Sequence, residues 1–234
     1  MTPTTHTADS DYHAARATLY CAAAAALTYP SEETVSELLD PEAREGIERA
    51  AEQLTVSAEA TALLEALEET PVEDLQVAYN QLFGLPSDDG TYAVIPYEAH
   101  YTTRDEISSE QRRIATVVGL MEEFGLEPSD DFAERQDHVA AELELAQVLA
   151  GQRAVALESG EAAAAERVGR AEATVLADHL VEFVPALAHD LRRATEEDAY
   201  AAAADLLEEL VTYDNGQHPE PTVSAEAANG GEAP

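Results

Sequence analysis

Lysine and tryptophan are missing from this chain altogether, and cysteine occurs once, as Cys21, in 234 residues. One cysteine can neither close an internal disulfide nor build a metal cluster. It lies in an alanine-rich run and is read as a small buried residue. Without lysine no phosphate loop of the G-x-x-x-x-G-K-[ST] form can be built, and no G-x-S-x-G elbow occurs. Positive charge is scarce, with 12 basic residues, all Arg, against 48 acidic ones and a net charge of −36. That balance excludes nucleic-acid binding through phosphates and attraction to an anionic membrane surface. Long apolar runs are missing as well. The most apolar stretch, 19 to 27, is mostly alanine and too short to span a bilayer, so no membrane insertion is expected. The opening MTPTTHTADSD has no positive n-region, so no export signal is expected and the chain reads as cytoplasmic. Glu-x-x-His pairs do not occur, and His179 and His189, ten apart on one expected helix, do not share its face. No metal site is expected.

What is present is helical patterning. Hydrophobic residues make up 45%, enough for a real core. The acids are spread along nearly the whole chain, whereas a site for one cationic partner would cluster them. The spread fits a cytoplasm at molar salt, in which a dense carboxylate surface keeps a protein hydrated. The pattern predicts a helix over 11 to 29 ended by Pro30, a short one around Val35 and Leu38, and one opened by Asp40 with Pro41 at its first position. A helix over 57 to 69 follows. Thr70-Pro71-Val72-Glu73 has the capping-box pattern for the next, which runs to Gly84. Residues 84 to 107 read as a long aromatic loop with Pro86, Gly90 and Pro96. Ser108-Ser109-Glu110-Gln111 reads as another capping box, on a helix ended by Gly125, and 126 to 136 as an irregular link. Helices are expected over 137 to 157, 161 to 191 and 195 to 212. The expected organisation is a flexible segment 1 to 10, one all-α domain of about nine to eleven helices over 11 to 212, and a disordered acidic tail over 213 to 234 that folding and binding do not need.

Two short constellations stand out. One is Pro96-Tyr97-Glu98-Ala99-His100-Tyr101 in the aromatic loop. The other is Asp137-His138 at a helix start, where Asp137 reads as the N-cap and His138 as a first-turn residue.

Taken in order, these pieces resemble the TorD/DmsD family of molybdoenzyme assembly chaperones, also called redox-enzyme maturation proteins. The match begins at Ala78-Tyr79-Asn80-Gln81-Leu82-Phe83 and continues in the Pro96 to Tyr101 stretch, similar to the family's P-Y-E-S-x-Y. Asp137-His138-Val139-Ala140-Ala141-Glu142-Leu143-Glu144 is similar to its D-H-x-x-x-E-L-E, and His179-Leu180 with Phe183 and Pro185 to its H-L-x-x-W-x-P. Tyr200, Leu206, Leu207 and Leu210 fill the closing helix. Departures are Gln136 for a common Pro, Ala99 for Ser, Leu145-Ala146 for Phe-Met and Phe183 for Trp.

The resemblance implies a TorD-like helical chaperone and no enzyme. It would bind the twin-arginine leader and apo form of a molybdopterin oxidoreductase catalytic subunit of the DMSO reductase family, support cofactor insertion and delay export. An assembly chaperone of the nitrate-reductase delta type is the alternative, followed by a small helical enzyme, a nucleotide-binding protein or a helical scaffold. No stably bound cofactor is implied, only transient contact with molybdopterin guanine dinucleotide or a guanine nucleotide. Monomer and dimer both stay open. The residues implied for peptide binding are Tyr79, Leu82, Phe83, Pro96, Tyr97, Glu98, Tyr101, Asp137 and His138. Leader arginines want carboxylates in forked geometry, and an apolar leader segment wants an aromatic groove.

Overall fold

A computed structural model describes residues 9–84, 91–102, 107–126 and 134–217. Among them are eleven α-helices and no strand. In chain order these are α1 (Ser10–Ala26), α2 (Glu32–Leu38), α3 (Pro41–Gln53), α4 (Ser57–Glu69), α5 (Val72–Tyr79), α6 (Glu98–Thr102), α7 (Ile107–Glu123), α8 (Val139–Glu158), α9 (Ala162–Thr174), α10 (Val181–Ala194) and α11 (Asp198–Gln217). Two wider π-helical segments, Asn80–Gly84 and Val175–Leu180, follow α5 and α9.

The centre of the fold is α8. Its first half is buried on all sides, from Val139 through Ala146 with the sole exception of Glu144, as expected for a helix enclosed by others. Helix α1 lies along α8, its small side chains Ala15, Ala22 and Ala23 allowing close approach. Helix α9 covers α8 from another side, and α11 packs on both α10 and α4. Between them Leu143, Leu149, Phe183, Leu187, Leu207 and Leu210 are fully buried. Burying a side chain of this size contributes about 1.5–3 kcal/mol.

Local chemistry explains several boundaries. Asp40 accepts from the amides of Glu42 and Ala43, with Pro41 at the first position of α3. Gly125 ends α7 at φ 78°, where a left-handed residue lets the Leu126 amide return 2.8 Å to the Met121 carbonyl.

Other expectations need correction. Thr70 caps nothing: its hydroxyl donates to Glu197, 3.0 Å away on the approach to α11, and α5 starts after Pro71 without a side-chain cap. Helix α7 starts at Ile107, so Ser108 lies inside it. The aromatic loop is broken by α6, and Pro86 and Gly90 fall outside the described residues, as does most of the 126 to 136 link. Cys21 is exposed, because it lies on the face of α1 opposite the buried Leu19 and Ala23. The expected helix over 161 to 191 is divided by the π segment.

The tail boundary also moves. Helix α11 continues past Tyr213 to Gln217 and carries the fully buried Asp214. That carboxylate receives Arg16 at 2.7 Å, the Tyr20 hydroxyl at 2.5 Å and the Tyr12 hydroxyl at 3.3 Å. Arg16 also pairs with Glu172 of α9, which takes Arg153 of α8 at 2.7 Å on its other oxygen. Four helices are thus joined by one buried ion network. Residues 1–8 and 218–234 lie outside the description.

Candidate functional site

The two sequence constellations, about forty residues apart, are brought together by backbone pairing. Tyr97 and His138 form an antiparallel bridge. The Val139 amide donates to the Pro96 carbonyl at 2.8 Å, and the Glu98 amide to the Asp137 carbonyl at 2.9 Å. This short clasp fixes α6 against the start of α8.

The clasp reverses the roles expected of the Asp-His pair. His138 is the N-cap of α8, its Nδ1 accepting from the Ala140 amide at 3.1 Å. Burial holds the ring's pKa down at about 4, against the opposing pull of Glu134 and Asp137. Asp137 turns the other way. Its Oδ2 receives the Ala99 amide of α6 at 3.4 Å, and both carboxylate oxygens receive Arg135, at 2.8 and 2.6 Å. Arg135 also reaches Glu110 at 2.7 Å and lies 4.8 Å over the Tyr97 ring. The Tyr97 hydroxyl donates to Glu134.

Asp137 is therefore fully buried beside Arg135, whose side chain is itself 44% exposed. Arginine is held here by a two-pronged carboxylate, an aromatic face and a second carboxylate, all contacts that suit a planar cation.

Tyr79, Leu82 and Phe83 form a separate group. Tyr79 packs on Phe83 at 4.9 Å and on Tyr29 at 5.4 Å, and both Tyr79 and Phe83 lie 6.4 Å from Tyr200. Leu82 is buried below, while Tyr29 and Val77 are half exposed. Burial first, and then the charge of Glu134, pushes the Tyr79 hydroxyl up to about 12. Glu134 thus acts on both the aromatic group and the Tyr97 clasp. Tyr101 points elsewhere, stacking on Phe183 at 6.2 Å and donating to Asp190 at 3.3 Å. Pro96 is buried and contributes its carbonyl rather than a surface. An apolar hollow between α1, α2 and α3, lined in part by Ala17, Cys21, Leu38 and Ile47, contains none of the expected residues.

Glu98 faces inward. It pairs with Arg113 through Oε1 and with His179 Nδ1 at 3.0 Å through Oε2. Arg113 continues to the Asp178 carbonyl at 2.8 Å and to Glu182. Beside this pair lies Glu142 of α8, fully buried, with neither carboxylate oxygen hydrogen-bonded among the described residues. Burial, then the charges of Glu98 and Asp137, holds its pKa well above the usual carboxylate range, Arg113 opposing them.

Sequence reasoning did not select Arg113, Arg135, Glu142 or His179 as site residues. Glu142 and His179 stand inside the matched motifs, so a signal was present. Their burial together depends on three distant segments and cannot be read from spacing.

The model of the family described as nitrate reductase delta subunit matches residues 41–189. That span holds α3 through most of α10 and every residue of the clasp. The chain belongs to the nitrate reductase delta subunit family. It is a family of molybdoenzyme assembly chaperones, whose members bind the catalytic subunits of those enzymes. The helical architecture and the resemblance drawn from the motifs agree with that membership. No curated protein matches the chain. No helix among the described residues is long and apolar enough to cross a membrane.

Proposed function

We propose that this protein acts in the cytoplasm, binds the twin-arginine leader and the apo form of a molybdopterin oxidoreductase catalytic subunit, and holds both until the cofactor is inserted. The observation that carries the reading is the seat of Arg135. Asp137, Glu110 and the Tyr97 face already bind one guanidinium at the surface. A leader arginine needs the same contacts. It enters by exchange with Arg135, and Asp137, which both prongs of that side chain now occupy, becomes its partner. The apolar part of the leader lies on Tyr29, Tyr79 and Phe83, with Glu134 standing between the two regions. His138 does not touch the leader; it fixes the start of α8 and so the direction of Asp137.

The acidic surface belongs to a halophile's protein and does little of the recognition. At about 1 M salt the Debye length is roughly 3 Å, so a charge of −36 cannot draw a cationic leader from a distance. Contact pairs and apolar burial remain.

The test is calorimetric titration of a leader peptide in molar KCl, beside a peptide with both Arg changed to Lys. The native leader is expected to bind about tenfold or more tightly than its lysine version, because lysine cannot fork. Arg135→Ala should tighten binding several-fold by vacating the seat. Equal affinity for both peptides, with no effect of Arg135→Ala or Asp137→Asn, removes the site.

The second reading rests on the family model, whose description names nitrate reductase. The client is then a nitrate reductase catalytic subunit. Co-purification from the native host separates the two, since it identifies the molybdoenzyme subunit retained. A client bound through a segment other than its leader favours the delta-type reading.

A further inference from the structure

Glu98, Glu142 and His179 offer three ligand atoms that all lie within 4.8 Å of one another in the buried interior. They come from α6, α8 and the π segment before α10. We propose that these residues form a binding site for one divalent transition-metal ion, with Glu142 as the ligand that only the metal satisfies.

Three observations lead there. First, Glu142 is fully buried and both its oxygens lack a hydrogen-bond partner among the described residues. A buried carboxylate without a partner is costly, and proteins retain few of them. Glu142 is hydrogen-bonded to neither member of the Glu98–His179 pair, yet one of its oxygens lies within 4.8 Å of their ligand atoms. Ligand atoms this close can share one ion. Around zinc, bonds of about 2.0–2.2 Å to imidazole and carboxylate put neighbouring ligand atoms roughly 3.3 Å apart, so a small rotation of Glu142 closes the site.

Second, the charge balance favours a dication. Glu98, Glu142 and Glu182 surround a single guanidinium, that of Arg113. With Glu142 ionised, two negative charges remain, which one divalent ion neutralises. Arg113 holds Glu98 on its other oxygen and so orients it, as hydrogen bonds to the back of a metal ligand do elsewhere.

Third, His179 sits in a π-helical segment, a local widening often found where a helix side chain serves a function. Its neighbour Asp178 supplies the carbonyl that anchors Arg113. One imidazole and two carboxylates suit zinc, iron(II) or manganese(II) better than calcium, which prefers six or more oxygens. The ion would tie α6, α8 and the π segment before α10 together close to the Arg135 seat, because Glu98 is one residue from Tyr97. The proposal stands on these residues and does not depend on what the seat binds.

The experiment uses full-length protein stripped with chelator and returned to molar KCl, titrated with Zn(II) and with Co(II). Wild type should take up one equivalent that resists dialysis, and its Co(II) form should show the strong visible bands of low-coordinate cobalt with a nitrogen ligand. Glu142→Gln keeps the shape of the neutral acid and should fold, yet lose at least tenfold in affinity. His179→Gln should abolish the cobalt bands. Weak, many-fold binding unchanged by Glu142→Gln would show that only surface carboxylates bind metal, and would overturn the site. So would a wild type that binds no stoichiometric ion.

Discussion

Two buried ion clusters meet α8, one at Glu142 near its start and one at Arg153 about three turns further on, and they are built to different standards. Around Arg16 every carboxylate is filled: Asp214 takes Arg16, Tyr12 and Tyr20, and Glu172 takes Arg16 and Arg153. Around Glu98 one carboxylate is unfilled, because Glu142 has no hydrogen-bond partner among the described residues. The first cluster ties α1 and α11, the first and last of the described helices, to α8 and α9. The second gathers the motif segments, with an arginine seat on its outer side. A network in which every carboxylate is paired fits a staple, although Arg16 Nε within it has no hydrogen-bond partner among the described residues. One with an unpaired carboxylate, placed behind a surface arginine, fits a site, since function is where folds tolerate unfilled polar groups.

The largest effect should come from the staple. Arg16→Ala leaves two buried carboxylates facing each other, and truncation after Tyr213 removes Asp214. Each should cost about 3–5 kcal/mol in chemical denaturation in molar KCl. A truncation that leaves stability unchanged would mean that α11 ends functionally at Tyr213.

Acid should then separate the clusters. The fold favours neutral His138, with its pKa lowered from 6.5 to about 4, so that contribution is complete above pH 6.5 and is lost as pH falls toward 4. It amounts to at most about 3 kcal/mol. Burial alone would raise the Glu172 pKa, but His13, Arg16 and Arg153 together hold it down at about 2. Its contribution is therefore complete above pH 4.5 and is lost only as pH falls toward 2. Hydrogen exchange near pH 5 should show the start of α8 loosening while α1 and α9 stay protected. The reverse order would break the comparison.

Smaller effects follow at the seat. Asp137→Asn loses the charge facing Arg135 and should cost about 1.5–3 kcal/mol of stability. Read from sequence alone, Asp137 was a helix cap that asparagine would replace cheaply; the forked pair with Arg135 makes the change dearer. Smallest of all should be Glu142→Gln in chelator, below about 1 kcal/mol, because a neutral amide replaces a carboxylate with no hydrogen bond to lose.

These contrasts also mark what the sequence could disclose. The helices were legible because apolar spacing and terminal Asp, Pro and Gly are local signals: α4 runs over the expected 57 to 69, and Asp40 and Gly125 do what their types suggest. The motif order disclosed the family. Local pattern failed wherever a distant partner competed for a side chain. Thr70 was drawn to Glu197, Asp137 to Arg135 and Ala99, and Asp214 to Arg16. Asp214 looked like one more tail acid because nothing near it in sequence shows that Arg16, 198 positions away, lies against it. The Glu98–Glu142–His179 cluster was invisible to a search for short metal-ligand spacings for the same reason.

The central claim is that the two clusters divide stability from recognition. The most direct test measures unfolding free energy and leader affinity together, in molar KCl, for Glu172→Gln and Arg135→Ala. Glu172→Gln should lower stability by several kcal/mol and leave the affinity of the folded protein unchanged. Arg135→Ala should cost less, about 1.5–3 kcal/mol, and shift the affinity several-fold. If Glu172→Gln alters leader affinity while Arg135→Ala is silent, the roles assigned to the two clusters are wrong.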